Sequence, residues 1–148
     1  MGLDSFTLSD VYRSFFELLQ VTLSRREFLS GVLSDEEWKA LFVIAQKQAV
    51  AGFAFDALDG LVAGGQKMPQ SLLFEWIGLS EQIKQRNKLV NQRCKELEKL
   101  FIDGGFRNCV LKGQGTALYY QNPLCRQSGD IDIWVSKDGI CKTDDVRS

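Results

Sequence analysis

The chain has 148 residues, 45% hydrophobic and 25% charged, with 18 basic side chains against 19 acidic, the balance of one soluble globular domain. A chain this long buries roughly 68–70% of its unfolded surface, so it needs neither disulfides nor a structural metal to fold. The net charge of −1 argues against coating nucleic acid through a global positive field, and zero histidines exclude Ser–His–Asp and Cys–His nucleophiles, His-ligated zinc and a histidine general base.

The first two-thirds read as helices. Tyr12, Phe15, Phe16 and Leu19 recur at spacings of three and four, giving one apolar stripe on a short helix with Ser9 as N-cap. A second short helical segment is expected from Arg25 to Leu33, weakened by Gly31. Ser34-Asp35-Glu36-Glu37 is a capping box, and Trp38, Leu41, Phe42, Ala45, Ala49, Phe53, Leu58 and Leu61 form a broad apolar stripe after it. That pattern predicts one central buried helix, ended by Gly64-Gly65.

Pro69 opens a segment of about 34 residues that runs to Gly104-Gly105, a strong C-terminal stop. Trp76, Ile83, Val90 and Leu97 fall seven apart, and Leu73, Ser80, Asn87, Cys94 and Phe101 make a more polar neighbouring row. The seam predicts packing on the earlier helices, with a dimeric coiled coil as the alternative. From Phe106 the character changes. Cys109-Val110-Leu111 is a short β-prone run, Lys112-Gly113-Gln114-Gly115 a glycine-rich turn, Thr116 to Tyr120 a short helix, and Ile131 to Val135 a second strand. The expected architecture is α+β, a helical region over 1–105 with a small mixed sheet over 106–148 packed on it as one compact unit.

Asp130-Ile131-Asp132-Ile133 carries the chemistry. Residues i and i+2 of a strand share a face, so both carboxylates project together while the isoleucines turn away. Two carboxylates ~5 Å apart repel by roughly 3 kcal/mol at an effective dielectric near 20. A divalent cation between them reverses that sign. Upstream, a strand running through a glycine-rich turn into a helix offers backbone amides to phosphate, although glycine at such a turn commonly serves backbone geometry alone.

Leu111-Lys112-Gly113-Gln114-Gly115-Thr116-Ala117, then Tyr120, Pro123 and Arg126, then Ser128-Gly129-Asp130-Ile131-Asp132-Ile133 resemble the uncharacterised bacterial nucleotidyltransferase family of the DNA polymerase beta-like superfamily. The resemblance implies metal-dependent transfer of a nucleotidyl group from an NTP to an unknown acceptor. It implies that Asp130 and Asp132 hold Mg²⁺ or Mn²⁺. Gly113, Gln114, Gly115 and Gly129 would border the nucleotide, Lys112 would add a point charge, and Arg126 would clamp a phosphate or brace Asp130. The superfamily's Gly-Ser after the first strand is replaced here by Lys112-Gly113. Its third carboxylate is expected downstream of Asp132, whereas the chain stops at Ser148, so the expectation is a truncated product with two of three carboxylates. One local candidate exists: a hairpin at Asp138-Gly139 would place Asp145 opposite Asp132.

Cys94, Cys109, Cys125 and Cys141 contain no Cys-x-x-Cys pair, and neither a leader nor a myristoylation signal nor an 18-residue apolar run is legible. Reduced thiols in a cytoplasm are expected, with no membrane partner. An incomplete sheet would expose an edge after Val135. The alternative function is therefore a degenerate fragment acting as an interaction or nucleotide-binding module, with a homodimer or another partner covering that edge.

Overall fold

The computed structural model describes residues 7–137. Six α-helices and two strands follow one another, α1 (Leu8–Thr22), α2 (Asp35–Lys47), α3 (Ala51–Phe55), α4 (Leu58–Ala63), α5 (Gln70–Asp103), β1 (Arg107–Leu111), α6 (Lys112–Ala117) and β2 (Asp132–Ser136), with a 3₁₀ turn at Pro123–Cys125 before the last strand. The chain is α+β, mostly helical, with one small antiparallel sheet.

Helix α1 starts two residues earlier than Ser9 implies. Thr7 is its N-cap, with the Asp10 carboxylate returning the capping box. The buried face is Val11, Phe15 and Leu18, whereas Tyr12 and Phe16 are exposed. The true stripe is rotated about one residue from the aromatic one. Residues 25–33 form no helix. Instead the Glu17 carboxylate accepts from the Ser30 amide and hydroxyl at 2.8 and 2.6 Å, and Gln66 bridges the Leu33 amide and the Gly31 carbonyl. Side chains on α1 and after α4 thus satisfy backbone groups that a helix would have paired internally.

The expected single helix from Ser34 is three. Its capping box is present, with the Ser34 amide donating to Glu37 at 2.6 Å. Ala49 then takes φ 55°, Val50 donates to Ala45 O at 2.9 Å and Ala49 to Gln46 O at 3.0 Å. This is a Schellman closure. It turns the chain so that α3 packs against α5, with the Trp76 indole donating to Ala51 O at 2.8 Å and its ring 5.0 Å from Phe42. The main core joins α1, the 25–33 segment, α2, α3, α4 and the start of α5, with Leu18, Trp38, Leu41, Ala45, Ala51, Ala54 and Trp76 at its centre.

Helix α5 occupies the 34 residues between Pro69 and Gly104. Trp76 and Ile83 are buried, but Val90 and Leu97 are only half-buried, and the polar row supplies Ser80, Asn87 and Cys94 to the interior. A straight helix drifts ~20° per heptad against a seven-residue row, so the buried line leaves the apolar one within two heptads. Helix α5 also contacts β1 and the 3₁₀ turn. Strands β1 and β2 pair antiparallel, with Leu111 opposite Asp132 and Cys109 opposite Trp134.

Candidate functional site

The site is built from both ends of the segment that joins the two strands. Leaving β1, the backbone turns left-handed at two successive residues, Lys112 at φ 40° and Gly113 at φ 34°. Glycine meets that requirement at Gly113 without a steric penalty, whereas Lys112 adopts it as a rare non-glycine residue. Thr116 closes the turn by donating to Gly113 O at 3.1 Å. A Cβ on Gly115 would lie 2.9 Å from Val110 O, so α6 can approach the end of β1 this closely only with glycine there. Gln114 spends its side-chain amide on Asn91 of α5, which ties the turn to the long helix. Its contribution to a phosphate would be its backbone amide.

The returning segment is held from the same helix. Asn87 is 1% exposed, and its side-chain amide donates to Leu124 O at 2.7 Å and Arg126 O at 2.6 Å. In the sequence Asn87 stands in the polar row of α5, with nothing local to mark its role. The signal was a polar residue on a row that an amphipathic helix turns inward. Gly52 of α3 completes the fixation, because a Cβ there would stand 2.5 Å from Cys125 O. Nothing in the local sequence marks this glycine.

After Ser128 the chain delivers the carboxylates. Asp130 and Asp132 are both exposed, and Ile131 and Ile133 are half-buried; β2 begins at Asp132, so Asp130 stands in the extended segment just before the strand. The backbone of Asp130 lies against the turn, since a Cβ on Gly113 would sit 3.4 Å from Asp130 O, and Asp132 faces Leu111, the last residue of β1. Tertiary structure thus brings Gly113, Asp130 and Asp132 to one place. Lys112 is exposed at the turn, and among the described residues neither Lys112 nor Arg126 forms an ion pair with Asp130 or Asp132 within 4.0 Å. Arg126 instead keeps its Nη1 buried and without a hydrogen-bond partner. Gly129 is exposed, with nothing within 4 Å of where its Cβ would be. Neither crowding nor a left-handed backbone demands glycine there, unlike Gly113 and Gly115.

Among the described residues no group of three acidic, cysteine or histidine side chains converges on one point. The carboxylate pair therefore supplies two donors, which suits a hard divalent cation that completes its shell with water and substrate phosphates. Asp145 and the hairpin at Asp138-Gly139 lie outside the described residues. No helix of the described residues is long and apolar enough to cross a membrane.

Comparison with curated proteins and with solved structures returns no match. The sequence profile of one family matches residues 34–146, well over half of the chain, and its span includes α2 to α5, the turn and the carboxylate strand. By that match the chain belongs to the uncharacterised nucleotidyltransferase family.

Proposed function

We propose that this chain carries the metal- and nucleotide-binding half of a polymerase beta-like nucleotidyltransferase site. One observation carries this reading. The turn at Gly113 and the carboxylate strand, separated by more than a dozen residues of sequence, meet at the Gly113–Asp130 contact. A phosphate held at the turn would therefore lie beside both carboxylates. Asp130 and Asp132 would hold Mg²⁺ or Mn²⁺, which when bound neutralises triphosphate charge. The amides of Gly113, Gln114 and Gly115 would border the phosphates. Lys112 would add a flexible point charge. Gly129 would leave open the approach that a side chain would fill.

In the reaction, an oxygen of the acceptor attacks the α-phosphorus of the NTP. The new P–O bond forms as the α–β anhydride bond breaks, pyrophosphate leaves, and an acceptor hydroxyl gives its proton to solvent. A third carboxylate, with Asp145 the candidate in this chain, would complete the acidic set. The test is calorimetry with Mg²⁺ and a non-hydrolysable ATP analogue, comparing the natural chain with Asp130→Asn/Asp132→Asn. Saturable binding that requires the metal and disappears in the variant is expected; equal binding by both proteins would sink the reading.

A second reading rests on the open face of the sheet, where Cys109, Leu111 and Trp134 are exposed on strands only five residues long. An interaction module would use that face and the β2 edge to pair with a second copy of the chain. Light scattering across a concentration series separates the two readings. A dimer lost in Trp134→Ser favours the module, and a monomer at every concentration removes it.

A further inference from the structure

A second concavity adjoins the carboxylates and belongs neither to the turn nor to the metal pair. It is a cleft of about 200 Å³ between α5 and the segment entering β2, lined by Leu79, Gln82, Ile83, Arg86, Gln127 and Ser128. Ser128 is two residues from Asp130, so their Cα atoms are at most ~7 Å apart. The long helix serves as a ruler for the other distance. The glycine-rich turn is tied to Asn91, and the cleft residues of α5 lie five to twelve residues earlier, which at ~1.5 Å per residue places them roughly 8–18 Å down the axis. Asn87 and the carbonyls it grips stand between. The cleft and the turn thus lie at different levels of α5, and the chain runs from Ser128 in the cleft wall to Asp130 at the turn.

The chemistry of the wall is one-sided. Arg86 is its only charged side chain, no carboxylate lines it, and among the described residues Arg86 has no ion-pair partner. Gln127 Oε1 and Ser128 Oγ are shielded from solvent and without hydrogen-bond partners, so each has bonding capacity that nothing in the chain uses. The Arg86 guanidinium and the Ser128 hydroxyl can both donate to an oxyanion, and Gln127 Oε1 can accept from a hydroxyl of the same molecule.

We propose that this cleft is the acceptor subsite, and that the acceptor is a small hydroxylated molecule whose anionic group, a phosphate or a carboxylate, is held by Arg86 and Ser128. The inference rests on the nucleotidyl-transfer reading and supplies the substrate class that reading leaves open. A hydroxyl of the same molecule would then be presented toward Asp130, while the triphosphate occupies the turn.

The test is a backbone and side-chain amide NMR titration of the full chain with inorganic phosphate and, in parallel, with acetate. Saturable shifts centred on Gln82, Arg86, Gln127 and Ser128, weakened tenfold or more in both Arg86→Gln and Ser128→Ala, support the proposal. The tighter anion then tells a phosphate-bearing acceptor from a carboxylate-bearing one. Shifts centred on residues 112–115, or unchanged in the two variants, overturn it. Displacement of the cleft anion by Mg²⁺ and the ATP analogue also overturns it, because the cleft would then hold the triphosphate. The Asp130→Asn/Asp132→Asn comparison reports on the transferase reading separately. If the natural chain binds no nucleotide, or the variant binds it equally well, while the cleft still takes phosphate, the acceptor role falls with the transferase and not for want of an anion site.

Discussion

Glu17 shows how a single charge on α1 organises a loop. Its burial alone would push the carboxyl up, but the hydrogen bonds from the Ser30 hydroxyl and amide and the nearby Arg26 guanidinium outweigh that, and the net shift is downward from 4.5. A carboxylate with a lowered native value stabilises the fold above its ordinary pKa and loses that contribution as the pH falls through the native value. Glu17→Gln is therefore expected to cost about 1.5–3 kcal/mol at pH 7, the range for hydrogen bonds to a charged group, and less at pH 3, below the ordinary carboxyl value. Urea midpoints at the two pH values measure it, and an undiminished difference at pH 3 would contradict the assignment. Cys125 moves the other way. Burial first, and then the charge and hydrogen bond of Asp56, push its thiol up to about 12. Iodoacetamide at pH 8 should label exposed Cys109 well before Cys125 or buried Cys94. Peptide mass mapping reads the order, and equal rates at Cys109 and Cys125 would refute it.

Among the elements, helix ends explain what could be foreseen. Four helices close in the same way, with a left-handed residue just past the cap, at Ser24, Ala49, Gly65 and Gly105. The two ends marked by glycine were legible, and α5 was read to its true limits from Pro69 and Gly104-Gly105. The ends at Ser24 and Ala49 carry no glycine, so the chain from Ser34 to the Gly64-Gly65 stop reads as one helix. Ala49 accepts a conformation costing about 1 kcal/mol because the packing of α3 on α5 fixes the bend. On α5 itself, Asn87 joins the helical part to the carboxylate segment. Asn87→Ala should cost about 2–3 kcal/mol, since two carbonyls lose their donor. Asn87→Asp should cost more, because a carboxylate would face the same two oxygens. Thermal denaturation ranks the pair, and an Asp variant as stable as the natural chain would show that Asn87 does not hold Leu124 and Arg126.

Across the whole molecule, cohesion is uneven. The main core is confined to α1–α4, the 25–33 segment and the first turns of α5, whereas the sheet has two strands and one half-buried face. Amides of α2 and of α5 around Trp76 should therefore outlast those of β1 and β2 in native-state hydrogen exchange by orders of magnitude. Equal protection in the two regions would mean that the sheet shares the core's cooperativity. A weakly anchored sheet also makes the fixation of the carboxylate segment depend on a few contacts, namely Asn87, Gly52 and the Gln114–Asn91 link.

By itself the amino-acid sequence determined the helical character of the first two-thirds, the span of α5, the capping box at Ser34, the two strands and the alternation of exposed and half-buried residues from Asp130 to Ile133. These follow from local periodicity, from glycine and proline, and from the two-residue repeat of a strand. Tertiary structure alone decided which face of α1 is buried and where the helix after Ser34 breaks. It also decided that Asn87 grips the segment entering the site and that Gly113 meets Asp130. Each of those outcomes depends on atoms far apart in the chain competing for the same space or the same hydrogen bond, and no local pattern encodes that competition.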